Sequence, residues 1–144
     1  MAGDISSTPS SASPRNLWRS VAAVLAGVVA VVVLSLGTDE MLQVAGVLPQ
    51  PGEAMPEPAL NILALGYRCA FNILGAYITA MLAPRRPLRH VQIFASIGLL
   101  LGTLGAIVTI PMNLGPAWYP ILLALSALPC SWLGWLIYKV GART

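Results

Sequence analysis

Arg68 is the only charged residue between Glu57 and Arg85. It stands in a stretch that is otherwise apolar and long enough to cross a bilayer. Asn61, Arg68, Asn72, Gly75 and Thr79 recur at spacings of three, four and seven, so on a helix they form one stripe, with Tyr67 beside it. A guanidinium at that depth costs several kcal/mol unless it is paired or solvated. The stripe therefore calls for a counter-charge. It should face other helices rather than lipid, because polar side chains associate across helices in a membrane.

Two acids can supply the charge. At 1.5 Å per residue, Arg68 lies about 12 Å below the outer end of its span near Leu60. Asp39, counted from Val21, rises about 27 Å to the outer boundary. An arginine can extend several Å toward the interface, which brings Asp39 within reach and leaves Glu40 as the alternate partner. Such a pair closes the outer half of a bundle. It either fixes helix register only, or forms an ion, proton or substrate site; the sequence leaves both open.

Catalytic constellations are absent. His90 is the only histidine and sits in a basic turn. Cys69 and Cys130 are too isolated to complete a metal site with it. They are expected to be free thiols at helix contacts rather than a disulfide. No nucleotide-binding loop, nucleophile elbow or zinc-protease motif occurs. Asp39 and Glu40 are adjacent and point about 100° apart on a helix, so they make no acid/base dyad. Neither enzyme activity nor a cofactor is expected.

The elements that position these residues follow from composition. Of the 144 residues, 57% are hydrophobic and 9% are charged, against about 25% charged in soluble domains. Lipid is the natural solvent for such a surface. Residues 1–15 are rich in Ser and Pro and read as a disordered cytoplasmic tail. Residues 16–140 make one membrane domain with spans at about 17–38, 58–83, 90–110 and 117–139. The first helix either ends with its span near Thr38 or runs on through Asp39 and Glu40, to about Val47 at the furthest; the sequence leaves both open. Residues 46–58 hold four prolines and form a loop, while Pro84 and Pro87 interrupt the chain after the second span. From Val91 to Tyr138 there is no charge. A single helix of that length would extend about 70 Å, against a hydrocarbon core of about 30 Å, so the chain must turn back near Pro111–Pro116.

The net charge of +3 does not mark a nucleic-acid surface. Arg15, Arg19, Arg85, Arg86, Arg89, Lys139 and Arg143 flank the spans on one side, and the connections 38–57 and 111–117 carry no base. The positive-inside rule then places both termini and the 84–90 turn in the cytoplasm. Arg85, Arg86 and Arg89 become contacts for anionic headgroups on that face. Trp118 and Tyr119 would mark the outer interface, and Trp132, Trp135 and Tyr138 the inner one.

Each span also has a face suited to close approach. Gly98, Gly102 and Ala106 form a small-residue seam, with Ala95, Gly105 and Thr109 near the same side. Ala22, Ala26 and Ala30 form another, and Ala127, Ser131 and Gly134 a third. Packing within one chain accounts for these seams more readily than dimerisation. Pro129 should kink the fourth span, with Ser126 or a neighbouring helix satisfying the freed carbonyl.

The segments LSLGTDEMLQVAGVLP (34–49), GYRCAFNILGAYITAMLAPRRPLRH (66–90) and LGPAWYPILLALSALPCSWLG (114–134) resemble a group of small bacterial four-span membrane proteins. That group has no assigned activity, so the resemblance implies a fold and no catalytic residues. Small multidrug transporters share the size and span count but carry a glutamate within the first span. This chain has AGVVAVVV there. The expectation is an all-α four-helix transmembrane bundle in a bacterial inner membrane. Its leading role is a non-enzymatic interaction or structural subunit, with a homo-oligomer or a membrane-protein partner. The alternative is a small transporter or channel component acting as an oligomer, with a polar path around Arg68, Asp39 and Asn72.

Overall fold

Pro14, Pro58 and Pro87 each open a helix. A proline at the first helical position loses nothing, because its missing N–H would have had no intrahelical partner, and its φ is already helical. The computed structural model describes residues 13–144. It contains α1 (Pro14–Val44), α2 (Pro58–Leu82), α3 (Pro87–Thr109) and α4 (Trp118–Gly141), with a 3-10 turn at Ile110–Met112 after α3. All four helices are long and apolar enough to cross a membrane. The chain is a multi-pass, all-α membrane protein.

Helix ends differ from the sequence expectation where local chemistry decides. α1 starts at Pro14, inside the segment read as a tail; residues 1–12 of that segment lie outside the described residues. It continues through Asp39 and Glu40 to Val44. α3 starts at Pro87 rather than near residue 90, so the second half of the basic turn is already helical. Arg86 just before it takes a left-handed conformation (φ 50°), which turns the chain sharply between α2 and α3.

α2 packs on both α1 and α4, and α3 packs mainly on α4; α1 and α3 meet only lightly. Glycines set the closest approaches. A Cβ on Gly27 would lie 2.6 Å from the Gly75 carbonyl and would collide with Thr79, and one on Gly75 would lie 2.9 Å from the Gly27 carbonyl. The ring of Phe94 from α3 closes over this crossing. On α4, Gly134 lies against the backbone of Ile73 and the methyl of Ala76. One turn further along, Tyr138 meets Tyr77 edge-on, so α2 and α4 run parallel. Gly102 of α3 meets Ala124, and Gly98 meets Ala127, so α3 and α4 run antiparallel.

The main apolar cluster is Val24, Ala76, Ala80, Val91 and Phe94. These residues gather toward the end of the bundle that carries the 83–87 turn. Outside, large apolar side chains such as Leu25, Val29, Leu100, Ile107 and Leu133 stand exposed on the helices. Water would tolerate such a surface poorly, whereas lipid matches it.

Two small-residue seams are placed differently from the sequence expectation. The buried residues of α1 are Ala23, Val24 and Gly27, and Ala22 is exposed. The Gly27–Gly75 contact fixes the rotation of α1, which moves the seam by one residue from Ala22–Ala26–Ala30. In α3, Gly98 and Gly102 approach α4 and Ala106 is buried, but Gly105 has nothing within 4 Å of a Cβ position. The α4 seam of Ala127, Ser131 and Gly134 is buried. Ser126 donates to the Leu123 carbonyl at 2.7 Å. It therefore does not serve Leu125, whose i+4 donor Pro129 removes. Cys69 and Cys130 are free.

Candidate functional site

Charge divides the bundle. Asp39, Glu40, Glu53 and Glu57 are the carboxylate side chains among the described residues, and all belong to the end carrying the 45–57 and 113–117 connections. The flanking bases belong to the opposite end. Only Arg68 stands apart from both groups.

Arg68 meets Asp39. Its terminal nitrogen donates to Asp39 Oδ2 at 2.5 Å, forming the only salt bridge among the described residues. Tyr67, the preceding residue, donates its hydroxyl to Asp39 Oδ1. One carboxylate on α1 thus accepts from two successive residues of α2. This works because α1 remains helical beyond the apolar run and lifts Asp39 to the level of Tyr67 and Arg68. Glu40, the alternate partner, is exposed and takes no part; one residue of helix turns it about 100° away. The Arg68 Nε is buried without a partner.

The rest of the polar stripe does not act as one unit. Asn61 is 2% exposed, and its side-chain amide donates to the carbonyls of Met55 at 2.9 Å and Glu57 at 2.8 Å. Met55 N–H in turn donates to the Leu114 carbonyl at 2.5 Å. Asn61 therefore clamps the first connection onto α2 and, through Met55, onto the second connection. Thr79 lies at the far end, fully buried beside the Gly27–Gly75 crossing, with its hydroxyl unpartnered. Between them, Arg68 and Asn72 face a cavity of about 540 Å³.

This cavity arises where α1 and α3 separate. Val28–Asp39 of α1 contributes one wall, Phe94–Thr109 of α3 another, and the start of α4, including Tyr119, a third. Phe94, over the two glycines, forms its floor toward the basic end. Met55, Asn61 and Gly115 close it at the acidic end, where Glu53 also reaches the lining. The lining is mostly apolar, with Ser35, Asp39, Arg68, Asn72, Thr109 and Tyr119 as polar points along its walls and Glu53 and Asn61 at its acidic end. Volume and lining both fall in the range of small-molecule sites, which span about 300–1,000 Å³. The site can seat an apolar body and offer it a charge pair and an amide. It brings together Asp39, Asn61, Arg68 and Asn72, with Tyr67 bonded to Asp39 beside it, and leaves Glu40 and Thr79 outside.

The cavity itself was not legible in the sequence. Gly105 carries the only hint, as a small residue at a position where no helix comes close. The basic turn lies at the other end, where Arg85, Arg86 and Arg89 are exposed. No group of three or more His, Cys, Asp or Glu able to hold a metal occurs among the described residues. No family model matches the chain, and no curated protein or solved structure is detectably similar to it.

Proposed function

We propose that this chain is a non-enzymatic integral membrane protein of the bacterial inner membrane, an interaction subunit that receives an apolar segment of a membrane partner between α1 and α3. The supporting observation is the cleft of about 540 Å³ at that edge, closed at both ends and lined chiefly by aliphatic side chains and glycines. Small residues let a partner backbone approach closely, and Asp39, Arg68 and Asn72 offer it hydrogen bonds that lipid could not. Both termini and the 84–87 turn belong in the cytoplasm by the distribution of bases, so the cleft opens in the outer half. The likeness to small bacterial four-span proteins accords with this location.

A second reading is favoured by the polar points of the same cleft. A lipid-soluble molecule with one polar end would fit, and the chain would then be a component of a transporter. Passage to the cytoplasmic side requires the Gly27–Gly75–Phe94 closure to open, so this reading needs a second conformation or an oligomer.

A photo-crosslinking side chain at Leu101, inside the cleft, separates the readings in native membranes. An adduct with one defined membrane polypeptide, absent when the crosslinker is at lipid-facing Ile107, supports the subunit reading. An adduct with a small molecule, again confined to position 101, supports the second. Identical adducts at both positions would remove the cleft as a site.

A further inference from the structure

The basic end holds a second concave feature, independent of the cleft. Arg86 and Arg89 at the start of α3 and Lys139 and Arg143 at the end of α4 line one cavity of about 690 Å³. Antiparallel packing of α3 on α4 brings these two pairs of cations together from segments fifty or more residues apart in sequence. Trp135 and Tyr138 complete the wall, and the Lys139 ammonium lies 4.9 Å from the Trp135 ring. No carboxylate side chain among the described residues lies at this end, and none of the four cations forms a salt bridge there. Four exposed cations converging on one cavity, with no carboxylate side chain among the described residues beside them, offer a site for an anion.

A second depression adjoins the first. Arg89 and Gln92 line both, and from them a shallow, open groove formed by one face of α3 runs past Ile93, Ser96, Ile97 and Leu100. It leads from the charged end toward the middle of the bilayer. A soluble phosphate would use only the basic cavity. An anion carrying an alkyl chain would use both.

We propose that the basic end binds an anionic phospholipid, with its phosphate among Arg86, Arg89, Lys139 and Arg143 and one acyl chain along the Ile93–Leu100 groove. The aromatic pair Trp135 and Tyr138 sits at headgroup level, as such rings do at membrane interfaces. Basic pockets between transmembrane helices bind anionic headgroups by this combination of charge and enclosure. The site uses residues from two helices, so lipid binding would hold the α3 start against the α4 end.

Native mass spectrometry of the full chain in mild detergent tests this, with phosphatidylglycerol, phosphatidylcholine of the same chain length, or inorganic phosphate added. Phosphatidylglycerol should bind in preference to phosphatidylcholine. K139Q/R143Q should weaken it roughly 30-fold, the factor that two charges at about 1 kcal/mol each give. R89Q, from the other helix, should weaken it less, by roughly fivefold. R15Q/R19Q, which removes charge at the same end but outside the cavity, should leave it unchanged. S96W should weaken long-chain phosphatidylglycerol and spare a short-chain form. Unfolding temperature without lipid reports whether each variant folds. Equal binding of phosphatidylcholine, equal loss in R15Q/R19Q, or competition by inorganic phosphate at the same concentration would each overturn the proposal.

Discussion

Asp39 accepts from Tyr67 and Arg68 with both of its oxygens, which gives a costly intramembrane arginine its counter-charge while leaving its Nε unpartnered. The sequence placed the two charges within reach by counting residues. It could not choose between Asp39 and Glu40, because that choice depends on how far α1 is rotated about its own axis. Asn61 is the clearest case of a residue whose type was legible and whose task was not. It reads as one member of a polar stripe, yet it bonds the backbone of its own connection. Replacing Arg68 or Asp39 singly by Leu should each cost about 2–3 kcal/mol, since the remaining charge is left unpaired at depth. The double variant should recover most of that loss. Reversible unfolding in detergent measures all three, and a double variant no more stable than the worse single one would show that the pair does not act as a unit.

At the scale of elements, the helices were legible because each apolar run is bounded by proline or charge, and lipid forces every run to satisfy its backbone internally. Helix faces were less so. The α4 seam was placed correctly because Ala127, Ser131 and Gly134 are small residues on a helix with neighbours on two sides. The α1 seam was displaced by one residue because alanine is common along that helix and gives little contrast. What fixes α1 is reciprocal: Gly27 and Gly75 each present a backbone carbonyl to the other's missing side chain. Gly75→Ala should therefore cost about 1–3 kcal/mol by overpacking. Gly105→Ala, at an open position, should change stability by less than about 0.5 kcal/mol. Unfolding of the two variants under the same conditions tests the contrast, and equal effects would mean that the α1–α2 crossing is looser than described.

Across the whole molecule, packing and charge are both divided lengthwise. The basic end is filled by Val24, Ala76, Ala80, Val91 and Phe94, whereas the acidic end opens into the cleft. In α1, the part near the basic end carries Ala23, Val24 and Gly27 toward α2, and the part near the acidic end carries exposed Val32, Val33, Leu34 and Leu36. The charge division predicts orientation. Single cysteines at Glu53 and Asn113, in a chain with Cys69 and Cys130 replaced by Ala, should react with an impermeant thiol reagent from outside intact spheroplasts. A cysteine at Arg85 should react only after permeabilisation. The reverse pattern would invert the topology and put the cleft in the inner half.

The sequence by itself determined four apolar helices, their connections, and a segregation of charge between the two ends of the bundle, because hydropathy and charge act locally and sum along the chain. Tertiary structure alone decided which carboxylate pairs with Arg68, that Asn61 serves a loop, that α1 and α3 part to leave a cleft, and that Arg86, Arg89, Lys139 and Arg143 share one cavity. Those facts depend on helix rotation and neighbour order. In lipid both are set by close backbone contacts such as Gly27 on Gly75, rather than by any hydrophobic pattern that the sequence displays.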